Sequence, residues 1–112
     1  MDINVRKRSQ VHVVQLRGAL RMGSAVDGFK QTIEELMAAG DHRLVVDLAE
    51  VPMIDSSGIG VLVKALTSAK QRGGNVKLLN PSKFAMQALK LVGVLNLFEV
   101  FNEEETAVQS FA

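Results

Sequence analysis

The run Leu44-Val45-Val46-Asp47-Leu48 limits what this chain can fold into more than any other five residues. A strand with one wet face alternates apolar and polar residues, whereas a strand covered on both faces reads as a nearly continuous apolar run. This one therefore belongs in the middle of a sheet. Its neighbours in the chain have a different period. Before it, Val26, Phe29, Ile33, Leu36 and Met37 recur at steps of three and four between Ser24 and Ala39. They share one helical face, with Ser24 placed to cap its start and Gly40 to stop it. After it, Ile59, Leu62, Val63, Leu66 and Ala69 form a second helical stripe, which ends at Gly73-Gly74.

The remaining segments extend the alternation. Ile3–Arg8 is short and charged, as an exposed strand is. Val11–Arg17 is β-branched and sets Val11, Val13 and Gln15 against His12, Val14 and Leu16. Ser9-Gln10 predicts a tight hairpin between them, and Gly18 ends the second strand. Val76–Leu79 reads as a strand, and Asn80-Pro81-Ser82 as a turn into a helix containing Phe84, Met86, Ala88, Leu89 and Val92. Leu97–Phe101 is expected to be a last short strand. Glu103-Glu104-Glu105 then opens a terminal helix through Phe111, its acids where the helix dipole favours them. The order β, β, α, β, α, β, α, β, α predicts one α/β sandwich over residues 1–112, with a mixed, mainly parallel sheet and an N-terminal hairpin.

Composition removes several function classes. The formal net charge is +1 over 112 residues, which gives no overall attraction to nucleic acid or to an anionic membrane. There is no cysteine, so disulfides and thiolate chemistry are excluded. His12 and His42 have no metal-ligand spacing and read as surface or strand-end residues. Met1-Asp2-Ile3-Asn4-Val5-Arg6 lacks the basic start and long apolar core of a signal peptide. The apolar stretches are broken by charge well short of a membrane span. A cytoplasmic protein is the expectation, with no cofactor and no metal.

The chemistry concentrates in Val51–Gly60, "VPMIDSSGIG". Asp55-Ser56-Ser57-Gly58 falls after a parallel strand and before a helix, where ligand sites of open α/β sheets are common. Ser or Asp there can cap the helix by accepting from its free N–H groups. A second reading is phosphorylation of Ser56, which adds roughly −1.5 to −2 charge beside the positive end of the helix. A charge of that size rejects a partner without a change of fold. A serine hydrolase is not indicated: the glycine two residues before the serine of a GxSxG elbow is missing, and neither histidine is placed to serve it.

Leu44–Leu48, "IDSSGIG", the "LRG" that closes the second strand and the "GG" before the fourth together resemble the anti-sigma factor antagonist family of bacterial STAS-domain proteins. The resemblance spans the chain. It implies a STAS-like four- or five-stranded sheet covered by about four helices, and a non-enzymatic role in partner switching. In that scheme the unphosphorylated protein binds an anti-sigma factor that is also a GHKL-type serine kinase, and sigma factor is released. ATP-dependent phosphorylation of the serine after the acid ends binding, and a PP2C-like phosphatase reverses it. By position the acceptor is Ser56, flanked by Asp55 and Ser57. The implied contact surface is Asp55, Ser56, Ser57, Gly58, Ile59 and Gly60 with the Arg21–Ser24 loop, Gly58 leaving room for a partner backbone.

One residue departs from the family pattern. Arg21, in Gly18-Ala19-Leu20-Arg21, stands where many members have an acid facing the partner. It either pairs with phosphorylated Ser56, matches a partner of different charge, or is a solvated side chain. Met22, Met37, Met53 and Met86 read as core filler, and Lys64, Lys70 and Arg72 as the wet face of their helix. The alternative function is an interaction subunit of a lipid-transport or stressosome-like complex that is not phosphorylated.

Overall fold

The computed structural model describes residues 1–112. A five-stranded sheet forms its centre, with β1 (Asp2–Arg8), β2 (Val11–Arg17), β3 (Arg43–Glu50), β4 (Asn75–Leu79) and β5 (Val100–Phe101) lying side by side in chain order. β1 and β2 form the antiparallel hairpin, turned at Ser9 with φ 55, and every other pair is parallel. Between and after the strands come α1 (Ser24–Ala38), α2 (Ser56–Gln71), α3 (Lys83–Val92) and α4 (Glu104–Gln109). The mixed, mainly parallel sheet, the hairpin and the four helices match the fold class read from the sequence.

The apolar run of β3 is explained by what covers it. Leu44, Val46 and Leu48 are fully buried in a core shared with Phe29 of α1, Leu62 of α2 and Leu89 of α3. Val45 points the other way, joining Val11, Val13 and Leu79 beneath Ala107 and Val108 of α4. Successive strand residues face opposite sides: the layer of three helices buries Leu44, Val46 and Leu48, while the short α4 covers only Val45 on the other face and leaves Asp47 half-buried and Ala49 exposed.

Two anchors hold α4. Arg6 and Arg8 of β1 contact Glu104 at 2.6 and 2.7 Å, and Arg8 also pairs with Glu105. Hydrogen bonding from Arg6 is the main cause holding the Glu104 carboxyl at about 2. The buried Lys77 of β4 donates to Ser110 Oγ at 2.8 Å and lies 4.3 Å from the Phe111 ring centre. A charge can sit there because it is hydrogen-bonded and stacked against an aromatic face.

Several expectations are corrected. Ser24 does not cap α1: it is the first helical residue, and Gly23, at φ 118, occupies the cap position with no side-chain bond. Of Leu97–Phe101 only Val100–Phe101 is strand, because Leu95–Leu97 forms a 3-10 turn. The terminal helix ends at Gln109. Met22 and Met53 are not core filler, being 79% and 38% exposed in loops. Phe84 and Val92 of α3 also lie largely outside the core.

Candidate functional site

Three loops meet at the carboxyl end of the parallel strands. The segment after β2 is zipped onto the segment after β3: Gly18 N–H donates to Glu50 O at 3.0 Å, Leu20 N–H to Met53 O at 2.9 Å, and Asp55 N–H to Leu20 O at 3.1 Å. Leu20 and Ile54 thereby form a parallel bridge beyond the strands proper. The segment after β4 joins them, with Ser82 donating its hydroxyl to Val51 O at 2.5 Å. The start of α2 thus rests on a braced platform.

Asp55 is the hub of that platform. Its backbone is extended, at φ −94 and ψ −179, and it is the residue that caps α2. Oδ1 accepts from Gly58 N–H at 3.0 Å and from the Ser57 hydroxyl at 2.6 Å, while Oδ2 accepts from Met22 N–H at 2.8 Å. These bonds, that from Ser57 foremost, hold its carboxyl at about 2, below the ordinary 3.8. A carboxylate that weakly basic, with its lone pairs engaged, is a poor general base near neutral pH.

Ser56 stands apart from the network. It is the first residue of α2, is exposed, and its hydroxyl is used in none of the bonds that brace the loops. Ser57 is half-buried and committed to Asp55. Capping therefore accounts for Asp55 and Ser57 and leaves Ser56 without a structural task. Its hydroxyl sits at the positive end of a helix of 16 residues whose first turn carries no acid.

The other expected contact residues divide sharply. Gly60 is exposed with open space beside it, Arg21 is exposed on the neighbouring loop, and Ser24 is exposed at the first position of α1. Arg21 makes no ion pair; the next residue, Met22, is the one that bonds Asp55. Gly58 and Ile59 are buried, the latter 4% exposed. A side chain at Gly58 would meet Leu20 O at 2.8 Å and Leu20 Cγ at 2.9 Å. This glycine lets α2 press against the chain's own Leu20, not against a partner backbone. Sequence reasoning missed Met22 and Met53, exposed apolar residues on the same end of the sheet; only their place in loops after strands distinguishes them from core methionines.

His12 and His42 lie at the opposite end, near the starts of β2 and β3. His12 is paired only distantly with Asp41, at 3.7 Å. No three His, Asp or Glu side chains are grouped to hold a metal ion, and no helix is long and apolar enough to cross a membrane.

The depressed Asp55 value carries a pH prediction. The folded value is below the unfolded one, so the stability it contributes is present above pH 3.8 and is lost as pH falls toward 2. Asp55→Asn is expected to melt below the parent protein at pH 7, and the gap between the two to close between pH 4 and pH 2, as followed by circular dichroism.

The profile of the STAS domain family matches residues 2–107. The anti-sigma-B factor antagonist of Listeria monocytogenes is 27% identical over 105 residues, covering 93% of this chain and 91% of the relative. The anti-sigma factor antagonist SpoIIAA in its unphosphorylated form superposes with a TM-score of 0.84 at 21% identity, over 97% of this chain and 95% of the other. The phosphorylated form of SpoIIAA, the Bacillus cell fate determinant, superposes with a TM-score of 0.79 at 20% identity, over 99% and 100%. With the profile spanning the sheet, the braced loops and all but the last two residues of α4, this chain belongs to the STAS domain family.

Proposed function

We propose that this protein is an anti-sigma factor antagonist that works as a serine-phosphorylation switch. In its unmodified form it binds an anti-sigma factor with GHKL-type serine kinase activity and so releases the target of that factor. Phosphorylation of Ser56 from ATP ends the binding, and a PP2C-like phosphatase restores it. One observation carries the reading: Ser56 is exposed and its hydroxyl is spare, while Asp55 and Ser57 beside it are fully engaged.

The physical setting supports both states. A phosphate on Ser56 gains from the helix dipole, so the fold accommodates it. SpoIIAA, which has the same fold, exists in phosphorylated and unphosphorylated forms, and the Listeria relative is an anti-sigma-B factor antagonist. The contact surface is then Ser56 and Gly60 on α2 with the Arg21–Ser24 loop, Met22 adding apolar area. Asp55, Ser57, Gly58 and Ile59 set its geometry from below.

The acceptor is tested by incubating the protein with the kinase and ATP and mapping the phosphate. Ser56→Ala is expected to take up none. Ser57→Ala is expected to remain an acceptor while melting lower, having lost its bond to Asp55. Phosphate on Ser57 in the unmutated protein would assign the switch to the wrong hydroxyl.

A further inference from the structure

From the structure we infer that α3 carries a second docking surface, separate from the Ser56 platform, that takes an acidic amphipathic helix of a partner protein. The first observation is a pair of exposed apolar residues on one line of the helix. Phe84 is 61% exposed and Leu91, seven residues on, is 89% exposed. Residues seven apart on a helix are nearly in line, so the two lie along one outward edge of α3. Ala85 and Leu89 already supply the helix with its buried face. Neither outward residue belongs to the hydrophobic core.

The second observation is charge. Between Ser56 and Phe98 there is no aspartate or glutamate, while the same 43 residues hold five lysines and one arginine. Every acid of the protein lies earlier or later. Lys83 and Lys90 belong to α3 itself and are exposed beside Phe84 and Leu91, in no ion pair. Lys77, the one buried base of the stretch, is matched to Glu99 at 3.3 Å. The outer face of α3 thus carries Phe84 and Leu91, one toward each end with the exposed Gln87 between them, and Lys83 and Lys90 unpaired at its margin.

That pattern selects the occupant. A helix laid along α3 with apolar residues at steps of three, four and seven covers Phe84 and Leu91. Acids on its flank meet Lys83 and Lys90. A second copy of this chain is disfavoured, since a symmetric α3–α3 contact brings lysines against lysines. The surface is independent of the phosphorylation reading, because no residue of it is shared with the Asp55 network.

The test places a photo-crosslinking benzoylphenylalanine at position 91 of the full chain in its native cells, and at position 84 in a parallel strain. After irradiation the joined peptide is sequenced. The expected product at either position is a segment of another protein with helical apolar spacing and an excess of acids. In Lys83→Glu/Lys90→Glu the yield is expected to fall by about tenfold, while the melting temperature and Ser56 phosphorylation stay as before. A product with a second copy of this chain, with lipid, with a segment lacking acids, or no product from either position, overturns the inference.

Discussion

Gly74→Ala is expected to destabilise the protein by about 3 kcal/mol or more, among the largest effects of any single methyl group here. A Cβ at Gly74 would stand 1.9 Å from His42 O and 2.6 Å from the carbonyl carbon. Both atoms are backbone and cannot rotate away as the tip of a side chain can. The same His42 oxygen accepts from Asn75 N–H at 2.9 Å, the bond that begins the pairing of β3 with β4. Relieving the clash therefore separates the two central strands at their start. For a domain of this size the loss corresponds to a drop of roughly 15 °C in melting temperature. Gly60→Ala is the contrasting control: nothing lies within 4 Å of the new methyl group. That change is expected to leave stability unchanged or raise it by about 0.5–1 kcal/mol, since alanine favours a helix interior. Urea and thermal unfolding of the two variants give the comparison. A Gly74→Ala protein within about 1 kcal/mol of the parent would contradict the close approach.

Ser56→Glu is expected to leave the fold intact and to weaken binding of the anti-sigma factor by about 100-fold, by placing an unmatched charge in the contact. An acid at the first position of α2 suits the helix dipole, so melting temperature should hold or rise slightly. Ser56→Ala removes only a spare hydroxyl and should bind within about threefold of the parent, because a surface change away from any bonded group is small. Glutamate carries less charge than a phosphate, roughly −1 against −1.5 to −2, so the phosphorylated protein should bind more weakly still. Isothermal titration against the purified anti-sigma factor measures all three. Equal affinity of Ser56→Glu and the parent would mean that Ser56 lies outside the contact.

The fold was legible because its signals are local and repeated. The apolar run of β3 and the stripes of α1 and α2 each declare which faces must be covered; the faces toward the three helices are buried as expected, while the other face of β3 is buried only at Val45. What escaped was long-range. Asp55, Ser56 and Ser57 are all cap-forming residue types, so sequence could not choose among them. The choice is made by Leu20, 35 residues earlier, whose pairing with Ile54 and Asp55 holds the acid in the extended conformation of a cap. Gly58 looked like room for a partner for the same reason: its neighbour Leu20 is distant in the chain. The methionines misled because an apolar residue at the end of a strand resembles core until the loop is seen to lie on the surface. The acid-free stretch from Ser56 to Phe98 was readable from the start, but a net charge of +1 averages it away.

A switch of this kind requires Ser56 to be a phosphoacceptor in the living cell. The measurement that tests this directly is the intact mass of the protein isolated from its native cells, followed by mapping of any modified residue. The expected result is a form heavier by one phosphate, carried on Ser56, in proportions that change with growth condition, and absent from Ser56→Ala. A single unmodified mass under every growth and stress condition, or a phosphate on any other residue, would contradict it.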